Sequence, residues 1–404
     1  MNDSKIKTYS IKTFGCQANI ADSNTISGVL EALGLEEAEK IIGSNDDETF
    51  YNTAISTDVL IMNTCSVRQK SEDKVYGLGK MLKLAEKDAR KKPFIVMAGC
   101  MVGSVTGERQ RYAFEVLKKK TPWVDVYINP SQIMNIPEIL LKNSLLSDWA
   151  VQKFDSAKVL SKQDNPTHAF VNISYGCDNF CTFCVVPYSR GKEVSRSEND
   201  ILKEIRHFAG RGIKEITLCG QNVNSWGLSM TKKMEIRTGS DQKIPFTSLL
   251  KKIHNINEIE KIGFISSNPF DFTNDLVETL KLPKISRYLH IAVQSGNNTV
   301  LKNMNRRHTV EDFINLIDRI KGAKPNIELG TDIIVGFPGE TREQFLDTVR
   351  LFEKINFNVA YISMYSPRKG TPAERFFKDD VPLKEKKWRH AYLTSVWKKY
   401  KNGI

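Results

Sequence analysis

Long apolar runs are missing from this chain. No stretch approaches the ~18 to 20 apolar residues that a membrane-spanning helix needs. The opening Met1-Asn2-Asp3-Ser4-Lys5-Ile6-Lys7 also lacks the apolar segment of a secretory leader. The expectation is a cytoplasmic protein, with no membrane partner. Histidine is scarce, with six in 404 residues and no ligand-like cluster of them. An even set of cysteines is lacking too. There are seven, and an odd count without a secretory leader argues against a disulfide framework. Low-complexity tracts and long internal repeats are absent. A hydrophobic fraction of 40% and a charged fraction of 26% are ordinary for a globular protein. They exclude a disordered chain, a collagen-like fibre and a small disulfide scaffold. The length suits two or three domains with real cores.

Positive charge is plentiful. The net charge is +12, which suits a polyanionic partner such as nucleic acid, or a solvated lysine-rich surface. Its distribution is uneven. Residues 381–404 carry seven basic residues (Lys384, Lys386, Lys387, Arg389, Lys398, Lys399, Lys401) against one acid, Glu385. Trp388, Tyr392, Trp397 and Tyr400 are interleaved with them. Such a mixture can grip phosphates and bases, or the aromatics can be the buried stripe of a last helix.

The cysteine spacing carries the chemistry. Cys177, Cys181 and Cys184 form a tight C-x3-C-x2-C trio. A structural zinc site wants four closed ligands, and the nearest further candidates are His168 and His207. Three cysteines on a [4Fe–4S] cluster leave one iron open to a small molecule. Buried thiols clustered by chance are the plain alternative. Ahead of the trio, Phe170–Tyr175 reads as a strand ending at Gly176. The trio therefore sits at a strand's C-terminal end, where (β/α) barrels place their chemistry.

The fold class reads as α/β throughout. After residue 167, strands are expected at 169–173, 215–219, 261–265, 288–293, 328–335 and 358–365. Amphipathic stretches lie between them, at 201–209, 247–253, 272–280, 299–305, 310–320 and 342–355. Six such alternations predict a partial (β/α)6 barrel. Residues 1–140 predict an N-terminal open α/β sheet domain, with strands at 6–13, 58–63, 93–98 and 124–128. Its helices are expected at 22–33, 71–85 and 106–118. Cys16, Cys65 and Cys100 each follow a strand C-terminus, the ligand-binding edge of such sheets. They can converge as a second three-thiolate site, or remain three buried thiols. Residues 141–166 have no sustained pattern and read as a linker. Residues 167–380 make the barrel, and 381–404 a basic C-terminal segment.

The trio opening a six-unit barrel resembles the radical S-adenosylmethionine enzymes. In that family the open iron chelates S-adenosylmethionine and reduction cleaves it to a 5′-deoxyadenosyl radical. The contexts Thr13-Phe14-Gly15-Cys16-Gln17-Ala18-Asn19, Asn63-Thr64-Cys65-Ser66-Val67-Arg68 and Ala98-Gly99-Cys100-Met101 narrow the resemblance to the methylthiotransferases. In those, three N-terminal cysteines hold an auxiliary [4Fe–4S] cluster. The stretches 184–196, Gly220–Ser225 and His290–Gly296 are similar to the branch that modifies isopentenylated adenosine in tRNA. Ala292 and Asn268 stand where that branch more usually has proline and histidine. The family normally ends in a small β-barrel RNA-binding module. The expectation is a chain without it, in which 381–404 is only the start of that region.

The resemblance implies two [4Fe–4S] clusters, at Cys177/Cys181/Cys184 and at Cys16/Cys65/Cys100, with S-adenosyl-L-methionine as cosubstrate. It implies a transferase of sulfur-containing groups that methylthiolates C2 of N6-isopentenyladenosine at position 37 of tRNA. An unactivated aryl C–H offers general acids and bases no foothold, so a radical cofactor is required. Expected partners are that tRNA, a flavodoxin- or ferredoxin-type electron donor and an iron–sulfur or sulfur carrier, all acting on a monomer. The alternatives are a methylthiotransferase for threonylcarbamoylated adenosine or a ribosomal-protein aspartate, and a non-catalytic iron–sulfur or zinc RNA-binding protein. Gly220, Gln221, Asn222, Gln294 and Asp332 follow or lie in barrel strands and are candidate cofactor or substrate contacts. Arg190 and Arg196 can pair with a carboxylate or phosphate. Cys219 reads as a small buried strand residue.

Overall fold

The computed structural model describes residues 6–67, 69–88, 92–156, 159–163, 165–239 and 243–401. The chain forms two compact units. One comprises Met1–Asp164 with Val185–Lys192, the other Asn165–Cys184 with Glu193–Ile404.

The N-terminal unit is built on a parallel sheet of β1 (Thr8–Thr13), β2 (Glu36–Glu37), β3 (Val59–Thr64), β4 (Phe94–Gly99) and β5 (Val126–Ile128), in the order β2-β1-β3-β4-β5. Strand β3 reads Val-Leu-Ile-Met-Asn-Thr and is buried along its whole length. A near-continuous apolar run of this kind marks a strand covered on both faces. Val59 and Ile61 face a core that includes Tyr9, Ile26, Leu30 and Val96. Leu60 and Met62 face the opposite core with Ile95, Met97, Val102 and Leu117.

Several elements differ from the sequence expectation for physical reasons. The first helix runs Gln17–Ala32 and starts at Cys16, not at residue 22. Its first turns bury Asn19, Asp22, Ser23 and Asn24, so no apolar period announces them. The helix expected at 106–118 is two, Cys100–Thr106 and Phe114–Lys120, divided after the extended Gly107. Asp46–Ile55 is a further helix, capped by the Asn45 side chain, which accepts from the Asp47 and Glu48 N–H groups. Within 141–166, Asp148–Gln152 is helical, and Leu146 and Ala150 are buried. Lys162 N–H donates to the Asn24 carbonyl at 2.9 Å, so this stretch packs on the N-terminal unit.

The second unit opens with β6 (His168–Asn172) and a small antiparallel pair, β7 (Ser174–Tyr175) with β8 (Val194–Ser195). Then follow β9 (Glu215–Cys219), β10 (Lys261–Phe264), β11 (Tyr288–His290), β12 (Glu328–Val335) and β13 (Val359–Met364). Parallel pairing gives two three-stranded sheets, β10-β9-β6 and β11-β12-β13. Single parallel bridges, Ile262 to Ile285 and Ser267 to Ile291, carry the order on from β10 towards β11. This is the partial (β/α)6 barrel that the alternation predicted. Side chains alternate along each strand. Val171, Leu218, Ile262, Leu289 and Ile333 join Phe208, Leu250, Phe313 and Phe352 of the surrounding segments in one core. The other parity, including His168, Thr217, His290 and Asp332, belongs to the opposite face.

The basic C-terminal stretch is the helix Leu383–Lys401. Two of its cations serve the fold. Arg389 is buried on Glu340 at 2.8 Å, and the Lys386 ammonium meets Asp379 and the Tyr365 carbonyl. Trp397 Nε1 donates to the Phe357 carbonyl at 2.8 Å, and Trp388 and Tyr392 pack edge-on against Phe345. Lys384, Lys387, Lys398 and Lys399 remain exposed.

Candidate active site

Cys16, Cys65 and Cys100 follow the C-terminal ends of β1, β3 and β4, three adjacent strands, at one edge of the N-terminal sheet. The register pairs Thr13 with Asn63 and Thr64 with Gly99, so the residues just beyond three adjacent strand ends lie side by side. A polar lattice fixes the three turns. Asn19 Nδ2 donates to Asn63 Oδ1 (3.3 Å) and to the Thr64 carbonyl (3.2 Å). Asn63 Nδ2 returns to the Asn19 carbonyl at 2.8 Å. Thr64 Oγ1 donates to the Ala98 carbonyl at 2.6 Å. Gly15 sits at φ +120°, and a Cβ there would fall 2.8 Å from Cys65 Cβ. Only glycine allows that approach. The asparagines of the Gly-Cys-Gln-Ala-Asn and Asn-Thr-Cys motifs thus tie the cysteine turns together. Arg68, the last residue of the second motif as read, lies outside the described residues.

The second trio occupies the loop after β7. Gly176 and Phe180 take positive φ, +67° and +50°. The loop is pinned from several sides. Thr182 Oγ1 donates to the Asn303 carbonyl at 2.8 Å, and Asn305 Nδ2 to the Phe180 carbonyl at 2.9 Å. Arg237 Nη2 donates to Asn179 Oδ1 at 3.0 Å. The three sulfurs are near enough to influence one another electrostatically, and burial pushes the Cys177 thiol up. A buried thiol of this kind ionises when a metal displaces its proton. Arg306 Nη1 lies 3.5 Å from Cys181 Sγ.

Around this loop, Ser174 Oγ, Glu193 Oε2 and Arg306 Nε are buried without a hydrogen-bond partner. Native interiors rarely tolerate this unless a ligand or ion completes the shell. The shell is therefore suited to a polar guest beside the cysteines. Among the described residues, no three His, Cys, Asp or Glu side chains converge on one bare metal ion. A four-iron cluster takes one thiolate per iron and asks for wider spacing than a single zinc ion. The donor chemistry fits the cluster.

The remaining candidates divide. Gly220 closes against Ser174, whose Oγ would be 2.4 Å from a Cβ at that position. Gln221 is half-buried beside it. Asn222 is bound internally: its Nδ2 donates to Ser225 Oγ at 2.6 Å and its Oδ1 accepts from Asn268. Asn268 itself joins Asn224 and Asp271 in the same buried network, which gives this departure from the family pattern a structural use. Gln294 has φ +75°, a strained backbone of the kind found at functional sites. Asp332, with a side chain 40% exposed, accepts from His290 Nε2 at 2.7 Å. Arg196 holds the Asn172 carbonyl and Glu204, both at 2.7 Å. Arg190 lies in the N-terminal unit and pairs with Asp22 at 2.7 Å. Cys219 is fully buried at the end of β9.

Sequence reading missed Glu193, Arg306 and His290. Glu193 forms a buried pair with Lys233 at 2.5 Å and its charge bears on Cys177. Neither it nor Arg306 belongs to a spacing pattern. His290 lies between Tyr288 and Asp332, with Tyr288 Oη 3.0 Å from its Nδ1. Its i+2 spacing from Tyr288 on a strand was the available signal.

Two family models match the chain. The Radical SAM superfamily covers residues 171–352, and one described as "Uncharacterized protein family UPF0004" covers residues 8–128. The tRNA-2-methylthio-N(6)-dimethylallyladenosine synthase of Thermoanaerobacter sp. (strain X514) is 38% identical over 379 residues, 92% of this chain and 74% of that one. The same-named protein of Acetivibrio thermocellus is 39% identical over 397 residues, 96% of this chain and 76% of its own. Among solved structures, the radical S-adenosylmethionine methyltransferase TsrM of Kitasatospora setae superposes with a TM-score of 0.62 at 14% identity, over 92% of this chain and 75% of that one. OxsB, a cobalamin-dependent S-adenosylmethionine radical enzyme, gives 0.56 at 13%, over 98% and 56%. At those identities the likeness shows the fold alone. With both family models matched and these synthases covered to about three quarters of their length, the chain belongs to the tRNA-2-methylthio-N(6)-dimethylallyladenosine synthase family of radical S-adenosylmethionine proteins.

Proposed function

We propose that this chain methylthiolates C2 of N6-isopentenyladenosine at position 37 of tRNA. The observation that supports the reading is the position of six cysteines beyond strand C-terminal ends, three in each unit, in a chain 38–39% identical to the named synthases. Cys177, Cys181 and Cys184 are assigned to the cluster that binds S-adenosylmethionine, and Cys16, Cys65 and Cys100 to the auxiliary cluster. When bound, these groups supply a 5′-deoxyadenosyl radical and the transferable methylthio sulfur.

The protein's own residues bind and orient. In the donor order that satisfies all three groups, the Tyr288 hydroxyl donates to His290 Nδ1 and His290 Nε2–H donates to Asp332. This fixes the orientation of the imidazole ring and holds the Asp332 carboxylate as an acceptor for a ribose hydroxyl or an exocyclic amine. Gln294, Gly220 and Gln221 stand at strand ends as further contacts. Ser174, Glu193 and Arg306 line the trio's surroundings. The partners are the isopentenylated tRNA, a flavodoxin- or ferredoxin-type reductant and a sulfur or iron–sulfur carrier.

The test is iron and sulfide content after anaerobic reconstitution, combined with nucleoside analysis of tRNA treated with the protein. About eight irons per chain, halved in C177A/C181A/C184A, are expected, with 2-methylthio product from the wild type alone. About four irons in the wild type and none in the variant would refute the auxiliary cluster. Full iron without 2-methylthio nucleoside would refute the substrate.

A further inference from the structure

The segment Val185–Lys192 follows Cys184 directly, yet it packs in the N-terminal unit. Its short helix, Val186–Ser189, lies on the helix Cys100–Thr106. The approach is so close that a Cβ on Gly103 would fall 1.9 Å from the Ser189 carbonyl oxygen. The next residue is Arg190. Its Nη2 lies 2.7 Å from Asp22 Oδ2, and both side chains are only 3% exposed. Asp22 is on the helix Gln17–Ala32, which begins at Cys16, and Gly103 is on the helix that begins with Cys100. Arg190 is thus placed from two sides at the base of the N-terminal cysteine edge. Its charge interacts with both Cys100 and Cys16.

A buried arginine is costly to desolvate and is retained where its charge and its fork of donors have targets. One donor goes to Asp22. A four-iron core held by three thiolates carries about one net negative charge before a fourth ligand is counted. A fixed cation beside it stabilises the reduced form, which carries one more negative charge.

We propose that Arg190 is a positioning residue for the N-terminal cluster, supplied by the chain segment that follows the other trio, and that its charge raises that cluster's reduction potential. This rests on the reading of Cys16, Cys65 and Cys100 as ligands. It adds a non-ligand residue that tunes the cluster from its surroundings.

The experiment uses the full chain carrying C177A/C181A/C184A, so that the N-terminal cluster is the only one. R190K, R190Q and D22N/R190Q are made in that background. Circular dichroism checks folding. Iron and sulfide are counted after anaerobic reconstitution, and the midpoint potential is read by EPR-monitored titration. R190Q is expected to lower the reduced-to-oxidised ratio at fixed ambient potential about tenfold, a shift of about 59 mV for one electron. R190K, which keeps the charge, stays near the unaltered background. D22N/R190Q removes both partners of the buried pair together, which proteins commonly tolerate. It is expected to show the lowered potential and decides the matter if R190Q alone does not fold. A folded R190Q or D22N/R190Q with full iron and an unshifted potential overturns this inference and leaves the ligand reading intact. A background with unaltered Arg190 that takes up no iron overturns both.

Discussion

Asp271 offers a sharp test of how the barrel holds its cysteine loop. Its carboxylate is fully buried and receives Arg237 through Nε at 2.6 Å and Nη2 at 2.7 Å. Ser225 Oγ at 2.5 Å and Asn268 Nδ2 at 3.1 Å complete it. Arg237 is itself nearly inaccessible, lies over the Phe270 ring and reaches Asn179 in the Cys177–Cys184 loop. Removing one partner of a buried ion pair leaves a desolvated charge and costs about 3–5 kcal/mol. D271N keeps the shape and strands the guanidinium; R237M strands the carboxylate. Each is expected to lower the unfolding free energy of the second unit by about 3–5 kcal/mol. R237M/D271N should cost at least about 2 kcal/mol less than the sum of the two, because contacting partners couple. The assay is urea denaturation of the apo chain followed by far-UV circular dichroism. In a C16A/C65A/C100A background the same variants should also lose part of the roughly four irons expected if the barrel trio holds a cluster as proposed. Single variants costing under about 1 kcal/mol, or a strictly additive double, would refute the reasoning.

Further outcomes follow from the same geometry. The His308 imidazole is buried beside Arg306, and these two causes drop its pKa from 6.5 to about 3. Because the folded value lies below the unfolded one, stability is full above pH 6.5 and falls as pH drops from there towards 3. Moving from pH 7 to 5 should cost about 2 kcal/mol in denaturant titrations, and H308Q should flatten that slope. G15A forces a side chain onto Cys65 at a glycine φ, costing about 1–3 kcal/mol and lowering iron uptake in the C177A/C181A/C184A background; unchanged uptake would refute the close approach. D332N should reduce 2-methylthio product at least about tenfold with iron content unchanged, measured by nucleoside chromatography. H290N should fall between it and the wild type.

The sequence was most legible where periodicity or spacing left one solution. Strands β9 and β12 fall at the bounds read from the alternation, because Ile216/Leu218 and Leu329/Ile333 face the helices while their neighbours do not. The edge position of Cys16, Cys65 and Cys100 followed from the same logic. The start of Gln17–Ala32 was illegible because polar residues are buried there. The bent path of residues 100–120 was hidden by an apolar pattern continuous enough for one helix. Long-range polar chemistry left no trace at all. The Lys233–Glu193 and Arg237–Asp271 pairs join residues 40 and 34 positions apart, and no local rule links them. Arg190 was read as able to meet a carboxylate, but its partner lies 168 residues away.

The interruption of the second unit by Val185–Lys192 has a consequence for synthesis on the ribosome. Residues up to 164 contain all five strands of the N-terminal sheet, so that sheet can begin to form as soon as they emerge. Its last piece arrives only with residue 192. At about 5–20 residues per second, the nascent sheet waits roughly 1–6 seconds for the strap that covers Gly103 and brings in Arg190. By then the Cys177–Cys184 loop, which precedes that strap in the chain, has already been synthesised.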